Sequence, residues 1–326
     1  MSRERLSRGR THLAFGAGAG PAPSAGAKPP PSAGTATTWR TLLGEARARL
    51  GSASEARRIV ERASGYEGGD YHPGLDELVT SGPAAHFYDM LARRQRGEPL
   101  QYVVGAWGFR SLDLLVDPRV VIPRPETEVV VEVALSELRL LDHHHGHQHK
   151  GDHGRALVVD LGTGSGAIAL SVAEEAPTTE VWATDRSREA LAVARANLAG
   201  LGRAGTRVKL AEGSWFAALP SILRGRIDLV VSNPPYVGER EVPDLPPEVA
   251  RFEPAEGLVA GPTGLEQLEA IVGEARQWLA RPGALVLEIA PHQAGDVVAL
   301  AYGEGFVEAA VRPDLAGRPR ALVARV

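Results

Sequence analysis

Asp160–Leu170 reads DLGTGSGAIAL. It follows RALVV, an apolar, β-branched run, and continues as AIALSVAEEA, which has helical composition. Gly162, Gly164 and Gly166 therefore sit where a buried strand turns into a helix. Glycine at such a junction lets the backbone turn tightly and approach a ligand closely. Taken as G-x-G-x-x-A, ending at Ala167, the stretch also fits a nicotinamide-cofactor fingerprint, and a glycine turn without a ligand is a third reading.

The surrounding pattern decides the fold. EVWATD, RVKLAEG, RIDLVVSN and GALVLEIA repeat the buried-strand character of RALVVDLG. AIALSVAEEA, REALAVARANLAGLG and LEQLEAIVGEARQWLA fall between them as helices. This alternation predicts an α/β fold, a parallel sheet with helices on both faces. FVEAAVRPDLAGRPRALVARV holds two strands with no room for a crossover helix, so it predicts an antiparallel hairpin at the sheet edge.

Upstream, Thr38 to about Arg96 is helical in pattern. TWRTLLGEARARL puts Trp39, Leu42, Leu43, Ala46 and Leu50 on one face. SASEARRIVERASG opens with a cap signal at Ser52 or Ser54 and closes at Gly65. PAAHFYDMLARRQRG places Phe87, Met90 and Leu91 together and stops at Gly97. Tyr102 to Ile122 alternates as a β-hairpin with Asp117-Pro118 as its turn, and a helix starts at about Glu126.

The chain has 326 residues, 44% of them hydrophobic and 23% charged, enough for a sizeable core. No apolar run approaches the roughly 20 residues that span a bilayer. There is no cysteine, which excludes disulfides, thiol catalysis and Cys-ligated zinc and fits a reducing compartment. With no secretory pattern, a cytoplasmic protein is expected. The net charge is −4, yet residues 1–40 hold six basic residues against Glu4 alone, leaving −9 for the remainder. The start of the chain, through GAGAGPAPSAGAKPPPSAG, has the composition of a disordered tail; an Arg-rich transit peptide is the other reading. HHHGHQHKGDHG carries six of the ten histidines, as a metal-capturing tract or a solvated loop. No metal centre is expected.

Three further motifs follow the strands. Asp185 ends EVWATD, 19 residues after Gly166, where an acid accepts from both hydroxyls of a ribose; a surface aspartate is the plainer reading. GSWF (Gly213–Phe216) offers Trp215 as a cover for an adenine face or as a core residue. Asn233-Pro234-Pro235-Tyr236 leaves the fourth strand at its carboxyl end, the edge where open α/β sheets bind ligands. A planar NH2 group is a poor nucleophile because its lone pair is delocalised. The Asn233 side-chain oxygen and the ring-fixed Pro234 carbonyl can each accept one of its hydrogens. Tyr236 can stack on the flat group. Positioning of this kind is worth roughly 7–11 kcal/mol.

Together, DLGTGSGAIAL, Asp185, GSWF and SNPPYV resemble an S-adenosylmethionine-dependent methyltransferase of the class I fold. GEPLQYVVGAWGFRSLDLLVDPRVVIPRPETE (Gly97–Glu128) and RFEPAEGLVAGPTGLEQL (Arg251–Leu268) closely resemble the HemK/PrmC family, which methylates glutamine in peptide chain release factors. The resemblance covers about residues 38–326. It implies a seven-stranded sheet with a small N-terminal helical domain and S-adenosyl-L-methionine as cofactor. The implied organisation is a tail over 1–37, a helical substrate-docking domain over 38–100, a β-hairpin linker over 101–124 and the methyltransferase domain over 125–326. Asp160, Gly162, Thr163, Gly164, Ser165 and Gly166 would hold the methionine part of the cofactor, Asp185 its ribose and Trp215 its adenine. Asn233, Pro234, Pro235 and Tyr236 would hold the glutamine of the Gly-Gly-Gln loop, with Asn233 also facing the cofactor. Ser214 departs from the aspartate of many relatives.

The expected partner is a release factor, with no membrane, no direct nucleic-acid substrate and a monomeric enzyme. Alternatives are glutamine methylation of a large-subunit ribosomal protein, and amino methylation of a nucleic-acid base, which usually needs a basic surface. A binding module without catalysis is opposed by the intact motifs. A nicotinamide dehydrogenase is opposed by NPPY and the terminal hairpin.

Overall fold

The computed structural model describes residues 37–145 and 155–326. The tail expected over 1–37, apart from Thr37, and the His-rich tract, apart from the helix-end backbone at 143–145, lie outside those residues. The chain divides into two units.

The helical unit runs to Ala106. Thr38 caps α1 (Trp39–Leu50) by accepting from the Thr41 N–H, and the helix ends at Gly51 in the left-handed region, φ 67°. Ser52, the first of the two serines considered, caps α2 (Ala53–Ser64) by accepting from the Glu55 N–H. α3 (Tyr71–Gly74), α4 (Ser81–Gln95) and α5 (Leu100–Val104) follow. Trp39, Leu42, Ile59, Phe87, Met90 and Leu91 form the core, on the helix faces that the spacing predicts.

The hairpin is β1 (Ala106–Phe109) and β2 (Leu112–Leu115), shorter than the expected span over Tyr102–Ile122. Tyr102 lies in α5, and the turn falls at Arg110-Ser111, not at Asp117-Pro118. Asp117-Pro118 does turn the chain, but beyond β2, where the Val120 N–H donates to the Asp117 carbonyl at 3.1 Å. The true turn carries Ser111 but no glycine, proline, asparagine or aspartate to announce it. Arg110 takes φ 50° because tertiary partners hold it there. Its N–H donates to Glu128 Oε1 at 2.9 Å, and its guanidinium reaches Glu132 at 2.9 Å and Glu175 at 2.7 Å.

The second unit begins with this hairpin and α6 (Pro125–His145). It continues through β3 (Ala156–Leu161), α7 (Ala167–Glu175), β4 (Thr179–Asp185), α8 (Arg188–Gly200), β5 (Val208–Glu212), β6 (Ile227–Ser232) and β7 (Val237–Gly238). The short α9 (Pro247–Phe252) belongs to the helical unit, where Arg94 bridges Glu55 at 2.7 Å and Glu248 at 3.2 Å. β8 (Val259–Gly261), α10 (Glu266–Trp278), β9 (Leu279–Glu288), α11 (Ala294–Gly303), β10 (Glu308–Pro313) and β11 (Pro319–Arg325) complete the chain.

Seven strands form one sheet in the order β10-β11-β9-β6-β3-β4-β5. Only the pairings of β11 are antiparallel, so the sheet is mostly parallel with an antiparallel C-terminal hairpin at one edge. Side chains alternate across it. Val158, Val181, Leu229, Val231 and Val286 pack with α6 and α7 on one face. Val159, Leu161, Val230, Leu285 and Leu287 pack with α10 and α11 on the other. From β3 the chain steps to β4 and β5 on one side, then returns to β6 on the other. That reversal opens a crevice at the carboxyl ends of β3 and β6.

Candidate active site

Register places the motifs in one row. Leu161 pairs with Thr184 and with Ser232, and Ser232 pairs with Leu287. The next residue on each strand is Asp185, Gly162, Asn233 or Glu288, so these four stand side by side along the carboxyl edge. With about 4.8 Å between strands, the row from Asp185 to Glu288 spans about 14 Å.

The glycine loop is built on left-handed backbone: φ is 70° at Gly162, 55° at Gly164 and 88° at Gly166. A Cβ on Gly162 would meet the Trp215 ring at 3.2 Å, whereas one on Gly164 would meet nothing within 4 Å. Gly164 therefore presents bare backbone to open space. The Asp185 carboxylate braces the loop, accepting from the Gly164 N–H and the Ser187 N–H at 2.9 Å each. Burial pushes its pKa up, against the pull of those two donors.

Thr163 donates its N–H to the Thr184 carbonyl at 2.8 Å and its hydroxyl to Asp160 Oδ2 at 2.6 Å. The Ala169 N–H reaches the same oxygen at 3.1 Å. Asp160 Oδ1 is buried and has no partner among the described residues. Burial pushes Asp160 up to about 7, despite the Thr163 and Ala169 donors. Ser165 is buried, and its carbonyl accepts from the Asn197 side chain at 2.8 Å. Of the two roles expected of Trp215, core packing is the one its contacts show. Its ring packs at the edge of the second core cluster and lies against Gly162. Its backbone sits at φ 44°, and its Nε1 donates to Gln267 Oε1 at 3.2 Å.

Asn233, Pro234, Pro235 and Tyr236 leave β6 together. Asn233 Nδ2 donates to Thr127 Oγ1 at 3.2 Å, and Thr127 Oγ1 donates to Glu288 Oε2 at 2.7 Å. The Tyr236 hydroxyl donates to Glu288 Oε1 at 3.3 Å. Asn233 Oδ1 and the Pro234 carbonyl take no hydrogen bond among the described residues. Gln293 pins the loop from behind, donating to the carbonyls of Tyr236 at 3.1 Å and Gly264 at 3.0 Å. Burial pushes Glu288 up to about 7, opposed by the Thr127 hydrogen bond and the Arg320 charge. Burial beside Glu288 also raises the Tyr236 phenol above its ordinary range.

Thr127, Glu288, Gln293 and Asn197 are the residues that motif reading misses. Glu288 carries a usable signal: an acid ending an otherwise apolar strand, as Asp185 does. Thr127 shows only as part of IPRPETE, and Asn197 and Gln293 are ordinary helix-region polar residues until the fold buries them.

Comparison with known proteins places the chain in a family. A family model described as the PrmC N-terminal domain matches residues 41–105, and one described as the methyltransferase small domain matches residues 145–245. A release factor glutamine methyltransferase of Burkholderia pseudomallei is 39% identical over 272 residues, covering 82% of this chain and 90% of that one. A relative of the same name from Moorella thermoacetica is 38% identical over 294 residues, covering 88% and 98%. A solved methyltransferase from Pyrococcus furiosus superposes with a TM-score of 0.46 at 17% identity, covering 72% and 98%. With both domain models matched and the identity extending through nearly the whole length of these relatives, the chain belongs to the release factor glutamine methyltransferase family.

Proposed function

We propose that this protein transfers a methyl group from S-adenosyl-L-methionine to the side-chain amide nitrogen of the glutamine in the Gly-Gly-Gln loop of peptide chain release factors. The observation that carries this reading is the Asn233 amide. Its NH2 end is engaged by Thr127, which leaves Oδ1 and the Pro234 carbonyl as two acceptors beside the glycine loop. Two acceptors match the two hydrogens of a primary amide.

The residues around the loop fit a cationic nucleoside cofactor. Asp160 Oδ1 is a buried oxygen without a partner among the described residues, Gly164 leaves open space, and Asp185 keeps lone pairs beyond its two backbone donors. Asp160, Gly162, Thr163, Gly164, Ser165 and Gly166 would hold the methionine part, Asp185 the ribose and Trp215 the adenine, with Asn233 at the junction with substrate. S-adenosylmethionine supplies, when bound, an electrophilic methyl group on a positively charged sulfur.

The chain's own contribution is positioning. Asn233 and Pro234 take the two amide hydrogens and so aim the nitrogen lone pair. Pro234 and Pro235 donate no backbone hydrogen bond and stiffen the loop. Tyr236, tethered through its hydroxyl, offers its ring to the flat amide. Once alkylated, the nitrogen loses a proton to solvent, so no strong base is required before attack. A glutamate carboxylate has no hydrogens for Asn233 and Pro234, and unpaired acceptors disfavour it by about 1–3 kcal/mol each.

In the same reading the helical unit docks the release factor, and the enzyme works as a cytoplasmic monomer. No described helix is long and apolar enough to cross a membrane. The −9 charge beyond residue 40 disfavours a nucleic-acid substrate. The test is peptide mapping of a release factor treated with enzyme and cofactor. One methyl group on the Gly-Gly-Gln glutamine nitrogen is expected; a methyl group on any other residue refutes the reading.

A further inference from the structure

We propose that Thr127 and Glu288 are positioning residues that fix which end of the Asn233 amide faces the substrate, and so make the site select a glutamine amide over a glutamate carboxylate. This rests on the function proposed above and adds the device that enforces it.

Hydrogen-bond polarity sets the orientation of the amide. A threonine hydroxyl has a single proton, and an ionised carboxylate only accepts. At 2.7 Å from Glu288 Oε2, Thr127 gives its proton to Glu288. Its oxygen can then only accept, so the Asn233 atom 3.2 Å away must be the NH2 group. The amide oxygen is thereby turned toward the site. Thr127 and Glu288 are 3% and 1% exposed, so water does not compete for the bond between them. Tyr236 gives its own proton to the other Glu288 oxygen and leaves the Thr127 bond undisturbed. The charged or titratable groups facing Glu288 are Tyr236 after β6, Arg320 on β11 and Glu126 on α6.

Protonation reverses the logic. A neutral Glu288 can donate to Thr127, which frees the Thr127 proton for the Asn233 oxygen. The amide then has no enforced orientation and can present its NH2 group, which suits a carboxylate. Because burial pushes Glu288 up to about 7, the orientation is fixed above that pH and released below it.

The test uses the full-length protein saturated with S-adenosylhomocysteine. It measures affinity for a release factor and for its Gln→Glu variant at the Gly-Gly-Gln loop. The wild type is expected to prefer the glutamine form above about pH 7. Thr127→Val should cut that preference about tenfold, the effect of about one buried hydrogen bond. Thr127→Ser should restore it. Glu288→Gln should make the preference independent of pH, and it serves as the second variant if Thr127→Val does not fold. A folded Thr127→Val with wild-type preference, or a Glu288→Gln that keeps the pH step, overturns the inference while leaving the function standing. A wild type that binds neither form overturns both.

Discussion

Asp160→Asn tests the electrostatics of the cofactor loop. The wild-type carboxyl is fully buried, one oxygen has no partner among the described residues, and burial pushes its pKa up to about 7 against an ordinary 3.8. The shift is about 3 pH units, which at 1.36 kcal/mol per unit makes ionisation in the folded protein cost roughly 4 kcal/mol. The folded state holds the proton more tightly than the unfolded state, so the contribution of this group is most favourable below the unfolded pKa. It is lost as pH rises through about 7. Asparagine keeps an oxygen for Thr163 and Ala169 but does not titrate. The assay is urea unfolding of both full-length proteins without cofactor, from about pH 5 to about pH 8. The difference between them should move in favour of Asn by about 3 kcal/mol over that range and flatten above pH 7. The titration of Glu288 is common to both proteins and cancels. A difference that stays constant with pH refutes the reasoning. A cationic cofactor favours the ionised form of Asp160. Its affinity for the wild type should therefore rise with pH through the same window, and its affinity for Asp160→Asn should not.

Three further substitutions separate the parts of the site. Asn233→Ala should lower kcat by at least about tenfold while cofactor affinity, read by calorimetry, stays within about twofold; equal losses in both count against its role toward the amide. Gly162→Ala forces a left-handed alanine into the Trp215 ring, which costs about 1–2 kcal/mol by denaturant melt and weakens cofactor binding; unchanged binding contradicts the loop assignment. Asn197→Leu strips the Ser165 carbonyl and both Leu115 backbone groups of their partner, and should destabilise by about 3 kcal/mol or more in the same melt.

Much of this architecture is legible in the sequence, for identifiable reasons. Buried parallel strands write themselves as continuous apolar runs, so β3, β4, β6 and β9 stand out. Glycines, prolines and acids at strand ends mark the ligand edge, because nothing else in such a sheet needs them there. The hairpin turn at Arg110 is not legible, since its backbone conformation is imposed by Glu128, Glu132 and Glu175, up to 65 residues away. The network behind Asn233 hides for the same reason. Thr127 lies 106 residues from Asn233 and 161 from Glu288, and only the register of β6 against β9, with α6 packed on both strands, brings them together. Local patterns report what each element needs; they are silent about partners that tertiary structure supplies.

The central claim is that the two acceptors at Asn233 and Pro234 serve a glutamine amide of a release factor. The most direct measurement offers labelled S-adenosylmethionine and enzyme to three substrates side by side. These are a release factor, the same factor with its Gly-Gly-Gln glutamine changed to glutamate, and stripped ribosomes with their RNA. The account predicts label on the unaltered factor alone. Label on ribosomal protein or on RNA, with none on the factor, would contradict it.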